Sequence, residues 1–155
     1  MTSFLERNSS IESGQNQKIG IILDMDLMPA DFDLAEFRKE LNVSYENFYP
    51  IISSTQKNLP EKYSLNAFNA KRLSWKATFE EGNEREFVNT TFTVLLNYFV
   101  NPSPELLILS AATKAKLKVG FPLEEKRLND IEINADPKDH KLFISELKKY
   151  LDMIV

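Results

Sequence analysis

The alternation of apolar and polar positions marks one strand and one helix near the start of the chain. Residues 18–27 (KIGIILDMDL) form an apolar run with β-branched isoleucines, which is typical of a strand buried within a sheet. Asp33 and Glu36 have the spacing of a capping box, in which an acidic N-cap residue is followed three residues later by a glutamate. We therefore predict a short helix over about 34–41.

The region after this helix combines an apolar face with a proline. Four apolar residues recur at helical spacing, namely Tyr45, Phe48, Tyr49 and Ile52. They predict a second helix that Pro50 kinks or ends early, because proline is costly inside a helix. The polar residues 53–70 then predict a long irregular connection.

Residues 71–100 show the clearest alternation in the chain. The apolar positions of the first half alternate with charged and hydroxyl residues, and they are Leu73, Trp75, Ala77 and Phe79. Because side chains alternate across a strand, this pattern predicts a strand whose apolar face, including Trp75, points into the core. Residues 81–84 (EGNE) predict a turn, and residues 85–100 predict the returning strand of a long hairpin.

The last third of the chain predicts two helices and two strands. The NPSP segment at 101–104 is a break, after which we predict a helix over about 104–113 and an extended segment up to Gly120. Residues 127–134 predict a short edge strand, and Asp136 is placed to cap a C-terminal amphipathic helix. The apolar face of this helix consists of Phe143, Leu147, Tyr150, Leu151 and Ile154.

Together these elements predict an α+β fold with a mostly antiparallel sheet built around the hairpin at about 71–100, flanking helices and the C-terminal helix. The chain has 155 residues, of which 43% are hydrophobic, and these values fit one domain. We place that domain at 18–155, after a polar N-terminal tail at 1–17.

The composition excludes several kinds of site. The chain has no cysteine, so disulfides, thiolate zinc sites and cysteine nucleophiles are excluded, and a reducing compartment, the cytoplasm, is expected. The net charge of −4 makes nucleic-acid binding an unfavoured function, because phosphate backbones select basic surfaces. The glycines are too scattered for a phosphate-binding loop. No apolar run has the length of a membrane span, so no membrane association is expected.

The strongest candidate for chemistry is the acidic cluster Asp24, Asp26, Asp31 and Asp33 at the end of the first strand. Paired carboxylates at the carboxyl end of a strand can hold Mg²⁺ through oxygen ligands. The segment IILDMDL also resembles the first motif of haloacid-dehalogenase-type phosphatases, an apolar strand that ends in Asp-x-Asp. The resemblance implies a Mg²⁺-dependent phosphatase-like enzyme that uses Asp24 and Asp26, with Ser110 and a lysine such as Lys114 as its second and third motifs. The competing interpretation is structural, with Asp31 and Asp33 capping the helix and Asp24 and Asp26 flanking a solvent-facing strand end.

Two other features have both a functional and a structural interpretation. His140 is the only histidine and can act as a general base, or it can be an ordinary surface residue. A basic patch that stacks nucleobases on Trp75 would draw on Lys71, Arg72, Lys76, Lys114, Lys116 and Lys118. The interpretation that we favour is a solvated face balanced by neighbouring glutamates, with Trp75 directed inward.

The function that we predict from the sequence is a non-catalytic interaction or assembly subunit without a cofactor, bound to a protein partner or to its own copies. Sheet edges and amphipathic helices are common partner-binding surfaces, and the apolar face of the C-terminal helix is the predicted one. Secretion chaperones, immunity proteins and structural components of phage-tail-like or injection machines are examples of this class. The phosphatase-like enzyme is the alternative.

Overall fold

The computed structural model describes residues 17–55 and 59–153, and within them the chain alternates between strands and helices. Most of the N-terminal tail and Ile154 therefore lie outside the described residues. The elements are β1 (Ile19–Asp24), α1 (Leu34–Glu40), β2 (Phe48–Ser53), α2 (Gly82–Val88), β3 (Thr91–Tyr98), α3 (Pro104–Ala112), β4 (Lys114–Gly120), β5 (Ile131–Glu132) and α4 (His140–Met153).

The five strands form a single sheet in the order β2-β1-β3-β4-β5, and every neighbouring pair is parallel. The prediction of a mostly antiparallel sheet is therefore wrong. Ile19 of β1 lies opposite Phe48 of β2 on one side and Val94 of β3 on the other, so β1 is central. From β1 the chain goes to β2 at one edge, and it then crosses over β1 to form β3, β4 and β5 on the other side. This strand order is that of a doubly wound sheet.

The predicted hairpin at 71–100 does not form. Leu73 and Phe79 make one isolated antiparallel bridge, and the residues between them close a tight loop in which Ala77 has a φ of 61°. Gly82, which the sequence placed in the turn of the hairpin, instead begins α2. The second half of the predicted returning strand is β3, but it pairs with β1 and β4. Long-range pairing between buried parallel strands has replaced the local pairing that the alternation predicted.

Several local predictions are confirmed, and two are wrong. Strand β1, helices α1 and α3, strand β4 and the short edge strand β5 lie where the sequence predicted them. The predicted helix around Pro50 is instead strand β2. Helix α4 is present but begins at His140, and Asp139 rather than Asp136 accepts the hydrogen bond from Leu142 N, at 3.1 Å.

Helices cover both faces of the sheet and create two hydrophobic cores. On one face, α1 and α4 pack over the strands, with Phe37 of α1 and Phe143 of α4 fully buried. On the other face, α2 and α3 pack over Leu95 and its neighbours. Parallel sheets need this double cover because their strands are apolar on both sides.

Both edges of the sheet are blocked against strand addition. At the β2 edge, Pro50 has no amide hydrogen to offer a further strand. The loop after β2 occupies two carbonyls of this edge, because the Pro50 carbonyl accepts from Asn66 Nδ2 at 3.3 Å and the Ile52 carbonyl accepts from Phe68 N at 2.7 Å. At the opposite edge, β5 is only two residues long. Proline, covering loops and very short edge strands are the devices that prevent edge-to-edge pairing.

Candidate functional site

Of the acidic cluster predicted from the sequence, Asp24 lies at the topological switch point of the sheet, whereas Asp33 caps α1 by accepting from Ala35 N. Connections leave β1 and β3 toward opposite edges, which opens a crevice between their carboxyl ends. Asp24 is the last residue of β1, at this crevice, and the 3₁₀ turn Met25–Leu27 follows it. The position is the one where ligands bind in sheets of this kind.

Hydrogen bonds within the protein occupy much of the carboxylate surface of the pair. Asp24 Oδ1 accepts from Asp26 N at 3.0 Å. Asp26 accepts from Ser54 Oγ at 2.8 Å, from Thr55 N at 2.9 Å and from Thr55 Oγ1 at 2.6 Å. Burial raises the pKa of Asp24, whereas the hydrogen bonds from Thr55 and Ser54 outweigh burial and lower the pKa of Asp26. Asp26 therefore ties the end of β1 to the end of β2.

The structure does not bring Lys114 or Ser110 to this pair. Lys114 begins β4 opposite Thr91, at the amino ends of the strands. Asp24 lies at their carboxyl ends, about 25 Å away along the strand direction. Ser110 lies in α3, where it is fully buried and donates to Asn97 Oδ1 at 2.7 Å. In the described part of the chain, no group of three or more Asp, Glu or His residues is arranged to hold a metal ion.

A buried polar network replaces the catalytic role that the sequence allowed for Ser110. Asn97, near the carboxyl end of β3, donates to Asn129 Oδ1 at 2.8 Å, and Lys118 Nζ donates to the Ser110 carbonyl at 2.8 Å. Gly120 makes room for Asn129, because a Cβ there would lie 2.6 Å from Asn129 Nδ2. The network fixes the β4–β5 connection, which contains no helix, against the sheet.

Trp75 lies in solvent and not in the core, so the predicted inward orientation is wrong. Its exposed fraction is 91%, the highest among the large hydrophobic side chains of the described residues. It sits at the tip of the loop 73–79, which we call the Trp75 loop. Ser74 closes this loop, because Ser74 N donates to the Thr78 carbonyl at 2.8 Å and Ser74 Oγ accepts from Lys76 N and Thr78 N.

The base of the Trp75 loop is anchored in the protein. Phe79 is buried and contacts Phe68 edge to face, with 6.0 Å between the ring centroids. Glu84 of α2 is fully buried, accepts from Asn69 N at 2.9 Å and pairs with Arg72 at 3.3 Å. Arg72 in turn packs over Gly82. These contacts hold the loop in one orientation with its indole outward.

The predicted basic patch is divided between two elements. Lys71, Arg72 and Lys76 belong to the Trp75 loop or its base, and Lys76 Nζ lies 5.4 Å from the Trp75 ring centroid. The other lysines belong to β4, where Lys118 is half-buried. Burial lowers the pKa of Lys118, and the negative charge of Asp130 offsets part of that effect.

Helix α3 presents an apolar face that its own domain covers only in part. Its sequence, PELLILSAA, has Glu105 as its single charged residue. Leu106 and Leu109 face the sheet, whereas Leu107 and Ile108 are partly exposed and Ala111 is exposed. A helix that is apolar all round is normally buried all round.

A groove runs along this outer face of α3. Two depressions of about 420 Å³ each meet at Leu107 and Glu125, which line both. We call the combined surface the α3 groove; its other lining residues include Ile108, Ala111, Leu123, Glu124, Arg127 and Leu128. The sequence predicted the helix but contained no signal for which of its apolar sides stays uncovered.

The residues predicted to bind a partner through the C-terminal helix are mostly in the core. Phe143 is fully buried, Leu147 is 3% exposed and Leu151 packs against the same core, whereas Tyr150 is partly exposed. His140 packs against the rings of Phe32 and Phe37. This face of α4 is therefore occupied by the protein itself.

Comparison with known proteins gives a family but no function. The chain belongs to a family of unknown function (DUF6913), whose model matches residues 2–154. No curated protein matches the chain, and no solved structure does. Among the described helices, none has the length and apolar character required to cross a bilayer.

Proposed function

We propose that this chain is a non-catalytic interaction subunit that binds a protein through the α3 groove. The observation that carries the proposal is the uncharged outer face of α3, where Leu107, Ile108 and Ala111 are only partly covered. Apolar surface of this kind, bordered by charged residues such as Glu124 and Arg127, is typical of protein-binding sites.

The blocked sheet edges support a face rather than an edge as the binding surface. Pro50 and the two-residue β5 leave no long strand for a partner to extend. On α4 the core takes up Phe143 and Leu147, and Leu142 and Tyr150 stay exposed. On α3 the partly exposed Leu107 and Ile108 and the exposed Ala111 line a groove, which favours α3 as the binding helix. We place this interaction in the cytoplasm, which the cysteine-free composition favours.

Site-specific photo-crosslinking in the cells that naturally produce the chain tests the proposal. A photoreactive residue at Ile108 should give one discrete protein adduct, because that side chain lines the groove. The matched control carries the same residue at Lys141, an exposed position on α4, and should not give that adduct. Leu128→Lys should remove the adduct from position 108. Equal adduct patterns at both positions, or no adduct at 108, would reject the proposal.

A second candidate is a Mg²⁺-dependent, phosphatase-like activity at Asp24 and Asp26. The position of Asp24 at the switch point favours it, although any cationic partner must come from a residue other than Lys114. Titration with Mn²⁺, followed by NMR line broadening, should act first on residues 24–26 and be abolished by Asp24→Asn. Broadening that is uniform, or that survives this substitution, would remove the candidate.

A further inference from the structure

We infer that the α3 groove receives the Trp75 loop of a second copy of the same chain, so that copies associate head to tail. The inference rests on the proposed function of the α3 groove and names its occupant. The two surfaces share no residue, since the groove is lined by α3 and residues 100–102 and 123–128, whereas the loop comprises residues 73–79.

The Trp75 loop has the properties of an inserted anchor. Its indole is 91% exposed, yet the loop is held by the Ser74 hydrogen bonds and by the buried Glu84 at its base. A loop whose backbone is already ordered loses less conformational entropy on binding, and tryptophan is among the residues that contribute most at protein interfaces. An exposed indole on a rigid loop therefore fits a preformed pocket better than it fits solvent.

The α3 groove has the size and lining to accept that side chain. Each of its two depressions, at about 420 Å³, is within the range in which protein pockets enclose small ligands. Leu107, which lines both depressions, and Leu128, which lines one of them, would contact the indole faces. Contact of aromatic and aliphatic surface removes from water the apolar area that both elements now expose.

The charges next to the indole and at the groove are of opposite sign. Arg72 is already paired with Glu84, which leaves Lys71 and Lys76 as the basic side chains beside Trp75, and the groove is lined by Glu124 and by Glu125, which is paired with Arg127. Lys71 and Lys76 beside Trp75 would face Glu124 and Glu125 at the rim of the groove. Such complementarity selects partner and orientation. Because the surfaces differ, each copy can donate one loop and accept another, a heterologous contact that forms chains or rings.

Sedimentation equilibrium of the full chain over a wide range of concentrations tests the inference. The expected result is concentration-dependent association that Trp75→Ala weakens at least about 30-fold, the loss typical of an interface anchor. Tyr45→Ala is the matched control, because Tyr45 is also an exposed aromatic residue, at 79%, and lies outside both surfaces; it should change the dissociation constant less than about 3-fold.

A mixing experiment tests the head-to-tail geometry. Ala111→Lys blocks the groove and leaves the loop intact, whereas Trp75→Ala leaves the groove intact. Each variant alone should be monomeric at concentrations where the natural chain associates, and an equimolar mixture should form dimers but nothing larger. Far-UV circular dichroism confirms that both variants are folded. Restored affinity in the pair Lys76→Glu with Glu124→Lys, relative to either change alone, would add support.

The outcomes separate this inference from the proposed function. A chain that stays monomeric at all concentrations overturns the inference, while the crosslinking at Ile108 still decides the proposed function. Association that Ala111→Lys abolishes but Trp75→Ala leaves intact overturns the inference and supports the groove as a binding surface. Association that depends on Trp75 but not on Ala111 also overturns it. In that case the loop binds elsewhere.

Discussion

Removal of the buried carboxylate of Glu84 provides the sharpest test of how the Trp75 loop is held. Glu84 is completely buried and accepts hydrogen bonds from Asn69 N and from Arg72, at 2.9 and 3.3 Å. Glu84→Ala leaves the Asn69 amide and the Arg72 guanidinium without this partner. Because the Arg72 side chain is 36% exposed, water can replace part of its interaction, and the expected loss is about 3 kcal/mol, at the low end for a broken buried ion pair.

The measurement is the free energy of unfolding by urea, followed by far-UV circular dichroism. Circular dichroism is the appropriate probe because Trp75, the single tryptophan, is already in solvent in the folded state and its emission should change little on unfolding. Thermal unfolding should show a midpoint lowered by about 6–12 °C, from the usual 2–4 °C per kcal/mol in a domain of this size.

Two variants of the same helix serve as controls for this prediction. Glu84→Gln keeps an oxygen that can accept from Asn69 N but removes the charge, and it should cost about 1–1.5 kcal/mol. Glu86→Ala changes an exposed glutamate two residues away and should stay within about 0.5 kcal/mol of the natural chain. If Glu84→Ala and Glu86→Ala have equal stability, the carboxylate does not anchor the loop and the reasoning is refuted.

Three further predictions concern the sheet, the C-terminal helix and the switch point. Gly120→Ala should destabilise the fold by about 1–3 kcal/mol in urea unfolding, because its Cβ would lie 2.6 Å from the buried amide of Asn129; an unchanged stability would contradict the packing. Phe143→Ala should cost about 3–5 kcal/mol and Tyr150→Ala less than about 1 kcal/mol, so similar losses would show that α4 does not pack as described. The lowered pKa of Asp26 stabilises the folded state fully above the ordinary value of 3.8, and this stabilisation is lost as the pH falls through the lowered folded value. Asp26→Asn should therefore lower the unfolding midpoint at pH 7, and this difference should shrink as the pH falls below 3.8. A difference in unfolding midpoint that does not depend on pH would contradict the prediction.

The sequence determined the elements whose signals are local. The isoleucine run of β1, the cap at Asp33 and the NPSP break before α3 act through neighbouring residues, and each predicted its element correctly. The class of chain, with helices and strands together, follows from those same signals. The apolar spacing of α4 also predicted a helix, although the residue that caps it, Asp139 instead of Asp136, depended on which carboxylate reaches a free amide.

Only the tertiary structure decided how the strands pair and which side chains stay in solvent. Alternation around Trp75 fits a hairpin as well as a loop, and the parallel pairing of β1 with β2 and β3 joins residues too distant in sequence to leave a local signal. Pro50 hid β2 because proline fits an edge strand only where its missing amide faces away from the neighbour. The position of the α3 groove is set by the elements that pack beside this helix. Because almost every side of α3 is apolar, its sequence does not indicate which side is buried. The candidate binding surfaces therefore arise from packing, whereas the elements that carry them were already specified locally.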